Sequence, residues 1–250
     1  MSIVPTNAPM TYGRYRETIQ KIVETYPVCR SRCIGTTAFG REILSLAIGS
    51  GERTVLFTAA HHANEWITAT VLLQFAEDLS RAIMEGGSLY GIPGTLFEQN
   101  CQIFLVPMVN PDGVDLVTGG IPKGSLEWEK AKSLSENYPS IPFPSGWKAN
   151  LLGVDLNLQY PAGWLQAREI KFTQGYTRPG PRDYVGKAPL TQRESRALAD
   201  FTSYLDPALI LAYHTQGEQI YWKYDDIDVP GALALGQEFA RLSGYSLEKT

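Results

Sequence analysis

TVLFTAAHHANEWITATVLLQFAEDLSRAIM, residues 54–84, changes its hydrophobic period in the middle. Thr54 to Ala60 is a β-like run. From Glu65 to Met84 apolar residues recur at helical spacing, which predicts that Ile67, Val71, Leu72, Phe75, Leu79 and Ile83 share one side. Gly86-Gly87 stops that helix. A strand running straight into an amphipathic helix is the building unit of an α/β fold.

The flanking sequence extends the same pattern. Upstream, Tyr12 to Tyr26 predicts an amphipathic helix with Tyr15, Ile19, Ile22 and Val23 inward, ended by Pro27. Two further β-like runs, Cys33–Thr36 and Glu42–Ile48, are punctuated by Gly40 and the Gly49-Ser50-Gly51-Glu52 cluster, as hairpins at a sheet edge would be. Downstream, Cys101 to Val109 is nearly all apolar, the pattern of a central strand covered on both faces, and Asn110-Pro111-Asp112-Gly113 breaks it with turn chemistry. Residues 112–188 are rich in Gly and Pro, and so long an irregular stretch inside a domain is usually functional. Thr191-Gln192-Arg193-Glu194 has the form of a capping box opening a helix to about Tyr204. Ala208–Tyr213 and Gln219–Lys223 follow as strands, and Gly231–Ser243 as a helix. Together these predict an α/β fold: one domain over residues 1–250, with a mixed, largely parallel twisted sheet sandwiched by helices.

Composition excludes several classes. Of 250 residues, 44% are apolar and 19% charged, and no apolar run reaches the ~20 residues of a membrane span. The net charge of −4 includes no basic block, so neither nucleic acid nor membrane is expected as a partner. No basic head with an apolar run opens the chain, so the default expectation is a cytoplasmic protein, with cell-wall or spore association left open. Three cysteines, Cys29, Cys33 and Cys101, form neither a paired framework nor a CxxC motif, and free thiols are expected.

Only three histidines are present, and all sit at predicted strand ends, where open α/β sheets gather their ligands. His62 and Glu65, three residues apart, can converge on one ion as the chain leaves the strand, and His214 would supply a third ligand 152 residues later. Hydrolytic zinc typically takes three such ligands and keeps a fourth position for water. The bland alternative is a pair of partly buried strand-end histidines. His61 is expected to stay off the metal, since neighbours on a strand face opposite ways. Asp155 and Asn157, two apart, would share one side of an extended segment; Asp155 could then accept the second imidazole N–H of a zinc ligand, and Asn157 could hold substrate. An Asx turn is the competing reading of that pair.

Four strings, HANEWIT (62–68), NPDG (110–113), GVDLN (153–157) and the strand-end His214, resemble in order and spacing the zinc carboxypeptidases related to carboxypeptidase A, over nearly the whole chain. VPMVNPDGVDLVTGGIP, GWKANLLGVDLNLQYPAGW and YHTQGEQIYWKY resemble the endopeptidases of that family that cut peptidoglycan stem peptides between γ-D-glutamate and meso-diaminopimelate or lysine. The resemblance implies one Zn²⁺ per chain on His62, Glu65 and His214, with Asp155 behind a zinc histidine. Lys148 then stands where ordinary carboxypeptidases carry the arginine that polarises the scissile carbonyl, a point charge in place of a planar fork. Leu158 replaces the arginine that clamps a free C-terminal carboxylate, and Asn64 replaces the arginine before the metal glutamate; both departures suit the endopeptidases. Asn64 and Asn157 are the expected substrate contacts.

By the same resemblance a glutamate base, a mobile-loop tyrosine, and a final strand and helix lie beyond Thr250. The expectation is a domain cut short, with Glu248 a poor candidate for the base; Glu218 and Glu248 are the first residues to mutate should the base prove misplaced. Alternatives are a carboxypeptidase or amidase acting on other small peptides, or a non-catalytic zinc- or peptide-binding module.

Overall fold

In a computed structural model, which describes residues 2–249, the chain forms two compact units, Met1–His214 and Thr215–Thr250. In the first, helix α1 (Tyr12–Thr25) starts at Thr11, whose hydroxyl accepts the N–H of Arg14, and buries Tyr15, Ile19 and Ile22. Strands β1 (Cys29–Thr36), β2 (Glu42–Ile48) and β3 (Arg53–Ala59) follow, then helix α2 (Ile67–Met84). A two-residue hairpin pair, β4 (Ser88–Leu89) and β5 (Ile92–Pro93), leads into α3 (Gly94–Asn100) and β6 (Cys101–Val106). Helices α4 (Pro111–Thr118), α5 (Leu126–Ser135) and α6 (Trp164–Thr173) interrupt the Gly/Pro-rich stretch, and α7 (Arg193–Leu205) and β7 (Leu209–Tyr213) complete the unit.

The five long strands form one sheet in the order β1-β2-β6-β3-β7. The β6, β3 and β7 strands pair in parallel, whereas β2 is antiparallel to both β1 and β6. Four strands therefore run one way and β2 the other, the mixed and largely parallel sheet that the alternation of strands and helices predicts. One face buries Leu46, Ile48, Val55, Ile103 and Leu105 with residues of α1 and α2, and the other buries Ile43, Leu56 and Val106 against Leu198 and Phe201 of α7. Helices thus cover both faces. Among the described residues, no helix is long and apolar enough to cross a membrane.

Several local expectations are corrected. The buried face of α2 runs through Ala69, Leu72, Leu73, Ala76, Leu79 and Ile83, while Ile67 and Val71 are exposed. The buried stripe thus mixes alanines with leucines and is turned from the predicted one. The Asn110-Pro111 sequence opens α4 instead of a simple turn: Asn110 caps the helix and accepts the N–H of Gly113, and Pro111 takes the first helical position, where no N–H is needed. The capping box does not form, because Oε1 of Gln159 draws in the N–H and hydroxyl of Thr191 and the N–H of Gln192. Gln192 is the residue that precedes α7. The carboxyl of Glu194 is left buried in the first turn with a long contact to the Asn150 amide at 3.4 Å, and burial pushes its pKa up to about 7.

In the second unit, β8 (Gln219–Lys223) and β9 (Ser246–Lys249) pair in parallel across helix α8 (Ala232–Ser243), a small βαβ crossover. The sequence predicts β8 and α8 but not β9. All three cysteines are free thiols, with Cys29 buried and Cys33 exposed.

Candidate metal centre

The β3 strand ends at Ala59, and Ala60 adopts the left-handed conformation with φ +49°. After this bend His62 precedes a 3₁₀ turn over Ala63–Glu65, and the N–H of Glu65 returns to the His62 carbonyl at 3.1 Å. Glu65 therefore sits in this tight turn, not in the α-helix. Thr68 staples the turn to the strand: its hydroxyl donates to the Glu65 carbonyl and accepts the N–H of Ala60. His214 follows the end of β7, which is the parallel neighbour of β3 with Ala59 opposite Tyr213. Neighbouring parallel strands thus deliver all three predicted ligands to one place.

Their donor atoms form a compact triangle. Nδ1 of His62 is 3.1 Å from Oε1 of Glu65, Nδ1 of His214 is 3.0 Å from Oε2 of Glu65, and the two Nδ1 atoms are 3.2 Å apart. Taken one atom per residue, the donors all lie within 4.8 Å of one another, and the short contacts are shared between the two Glu65 oxygens; ligands at ~2.0–2.1 Å on a tetrahedral ion stand ~3.3 Å apart, so the three residues are close enough to hold one ion. Among the described residues, this is the one cluster of three such ligands found together.

Hydrogen bonding behind the triangle points the same way. Nε2 of His62 is 3.3 Å from Oδ1 of Asp155, which fixes that nitrogen as the protonated one and turns the Nδ1 lone pair to the centre. Without an ion, hydrogen bonds to Asp155 and Glu65 outweigh burial and raise His62 to about 9, so Nδ1 then carries a proton that a bound cation would displace. Burial would raise Glu65, yet its bonds to His214 and His62 keep it well below the usual carboxylate range. Two imidazoles and a carboxylate are a donor set that fits zinc.

Asp155 and Asn157 are not on an extended segment. Asp155 caps a 3₁₀ turn over Leu156–Leu158 and accepts the N–H of Asn157 at 3.2 Å, so the Asx turn and the contact with His62 coexist. The turn buries Asp155 and leaves Asn157 exposed. Nζ of Lys148 lies 3.5 Å from Oε1 of Glu65, at the edge of the triangle. The N–H of Asn64 donates to the Trp147 carbonyl, and its buried Oδ1 has no hydrogen-bond partner among the described residues.

His61 stays outside the ligand set, but not through strand alternation. The bend at Ala60 brings both histidine rings against His214, with centroids 5.7 Å (His61) and 4.9 Å (His62) away. His61 instead meets the Tyr160 hydroxyl at 3.1 Å, and burial pushes its pKa down to about 3, keeping it neutral.

Asn110 is a positioning group that its sequence motif, read as a turn, did not reveal. Its buried amide reaches the carbonyls of His61, Lys148 and Ala149 at 3.1, 3.3 and 3.0 Å, tying the histidine bend to the Lys148 segment. An Asn-Pro pair before a short apolar run is a helix-capping signal that could have marked it. Asp112 of the same motif lies away from the centre, paired with Arg41 at 2.9 Å. Glu218 and Glu248 belong to the second unit.

Residues 15–245 match the family described as zinc carboxypeptidase (Peptidase_M14). The chain is 41% identical over 235 residues to gamma-D-glutamyl-L-diamino acid endopeptidase 1 of Lysinibacillus sphaericus, covering 94% of this chain and 57% of that protein. Among solved structures, thrombin activatable fibrinolysis inhibitor superposes with a TM-score of 0.73 at 16% identity, covering 100% of this chain and 61% of the other. Carboxypeptidase A from Helicoverpa armigera gives 0.67 at 20% identity, covering 96% of this chain and 54% of the other. These structural likenesses establish the shared fold, and the chain spans less than two thirds of each relative's length.

Proposed function

Because the chain belongs to the zinc carboxypeptidase family, we propose that it is the zinc-peptidase domain of an enzyme that hydrolyses the bond between γ-D-glutamate and meso-diaminopimelate or L-lysine in peptidoglycan stem peptides. The observation that carries the hydrolytic part is the cluster of donors on His62, Glu65 and His214, in mutual contact at 3.0–3.2 Å. The likeness to an endopeptidase of that specificity supports the substrate part.

A bound zinc supplies Lewis acidity and a water of lowered pKa. The chain's own residues do the rest. Asp155 keeps His62 in the tautomer that faces the ion. Lys148, its backbone held by Ala63 and Pro181, places a cation where the scissile carbonyl gains negative charge. Asn64 and Asn157 contact the peptide, and Leu158 leaves a free C-terminal carboxylate without the bidentate partner that an arginine would give. No residue of this chain is assigned as the general base.

The test is release of diaminopimelate from L-Ala-γ-D-Glu-meso-diaminopimelate, with and without a chelator. Chelator-sensitive cleavage that prefers this γ-linked peptide to α-linked C-terminal residues supports the proposal, and the reverse preference rejects it.

Lys148→Met is expected to lower kcat about 10²-fold, the typical cost of one oxyanion-stabilising group, with KM and zinc content little changed. An unchanged kcat would remove Lys148 from the chemistry.

A further inference from the structure

The segment Pro181–Tyr184 touches both working parts of the metal centre, and the proposed chemistry uses only its Pro181 carbonyl. The carbonyl of Pro181 accepts two N–H groups, from Lys148 at 2.7 Å and Ala149 at 2.9 Å. Two residues on, the N–H of Asp183 donates to Oδ2 of Asp155 at 3.1 Å, and the Tyr184 carbonyl accepts the N–H of Asp155 at 2.9 Å. Within four residues the chain therefore fixes the backbone under Lys148 and the carboxylate behind His62. Gly153 makes this approach feasible, since a Cβ there would meet the backbone nitrogen of Gly180 at 2.7 Å.

Asp155 is pinned at both oxygens. Oδ1 takes His62 and the N–H of Asn157, and Oδ2 takes the N–H of Asp183. With both ends held, the plane of the carboxylate is set, and with it the direction of the acceptor that orients the imidazole. The donor on Oδ2 comes from a strained residue: Asp183 has φ +65°, a conformation that glycine, asparagine and aspartate tolerate and β-branched residues do not. Its side chain is tied down from two directions, by Nζ of Lys171 on α6 and by Nε of Arg182, each at 2.6 Å. Asp183 is buried, so these partners also satisfy a carboxylate that would otherwise be costly there.

We propose that Asp183 is a positioning residue: its left-handed turn, locked by Lys171 and Arg182, holds the Asp155 carboxylate, and through it His62, in the orientation that metal binding requires. The proposal rests on the reading of His62 as a zinc ligand. It predicts that geometry at residue 183 is felt in the metal's coordination and not only in stability.

The experiment measures zinc affinity by competition with a chromophoric chelator and records the visible spectrum of the cobalt(II)-substituted protein, on the full chain. Asp183→Val, which disfavours the turn, is expected to weaken zinc binding about tenfold or more, the lower end of what loss of a ligand's hydrogen-bond partner costs, and to alter the cobalt spectrum. Asp183→Asn, which keeps the turn and an oxygen for Lys171, is expected to stay within about threefold of the unsubstituted protein by the same scale. A folded Asp183→Val protein with unchanged zinc affinity and cobalt spectrum would overturn the proposal. So would an Asp183→Asn protein as impaired as the valine variant. Should Asp183→Val fail to fold, Lys171→Met decides: weakened zinc binding supports the proposal, and unchanged binding rejects it. Unsubstituted protein that takes up no zinc would sink both this proposal and the metal reading beneath it, whereas zinc uptake with unaffected variants sinks the proposal alone.

Discussion

His214→Ala protein is expected to emerge from dialysis against metal-free buffer without zinc, while the unsubstituted chain retains one ion. The reason lies in where the donors come from. His62 and Glu65 share one tight turn and offer only two ligands; His214 arrives from a different strand and closes the triangle at 3.0 and 3.2 Å. Without it the ion has no third protein ligand, and two donors do not make a hydrolytic zinc site. The loss should exceed the ~10–100-fold that removing a ligand's hydrogen-bond partner costs. His62→Ala should behave alike, with the added burden of an Asp155 carboxylate that has lost its imidazole. Elemental analysis of both variants decides it, and stoichiometric zinc in both would place the metal elsewhere.

Unfolding free energy compared between wild type and Glu194→Gln should diverge with pH. The Glu194 carboxyl has a pKa of about 7 in the folded chain, against an ordinary value of 4.5, because burial disfavours its charge. Below about pH 4.5 the group is protonated in both states and costs nothing. Between about 4.5 and 7 the unfolded chain sheds this proton while the folded chain keeps it, so stability falls as pH rises. Above about 7 the slope ends, with roughly 3 kcal/mol forfeited, an order-of-magnitude figure from ~1.4 kcal/mol per unit. A neutral glutamine of the same shape carries no such slope. Urea titrations at pH 4.5 and 8 should therefore find the variant close to wild type at the lower pH and more stable by roughly that amount at the higher. Parallel profiles would mean that Glu194 is already ionised in the folded protein.

What could be read from the sequence was whatever side-chain type and period encode. His62, Glu65 and His214 stood out because histidines are few and each falls where an apolar run stops, and the strand-helix alternation carried the sheet. What could not be read depends on backbone groups, which every residue has. The carbonyl of Pro181 and the N–H of Asp183 leave no signature in residue type, although they fix Lys148 and Asp155. The 3₁₀ turn that separates buried Asp155 from exposed Asn157 is likewise invisible to an argument from extended-chain alternation. Thr191 shows how a local signal loses: its capping pattern was sound, but the Gln159 side chain, 32 residues away, competed for the same groups and won. On α2, exposed Ile67 and Val71 and buried Ala69, Leu73 and Ala76 show that apolar spacing alone did not single out the packed face.

The parallel pairing of β3 with β7 has a consequence for the polymer as a whole. The β7 strand is the last in the order of the five-stranded sheet, so among the described residues its place in that sheet rests on β3 alone. His62 and His214 are 152 residues apart in sequence, and one ion held by both is a crosslink that closes a loop of that size. Chain-entropy arithmetic for a covalent link of such length gives about 5 kcal/mol, taken from the unfolded ensemble. A coordinate link obeys the same logic through mass action, adding RT ln(1 + [Zn]/Kd) to the folded state. On the proposed reading, the ion that serves hydrolysis would also be a structural staple, and a chelator that removes it would loosen the strand that carries its third ligand.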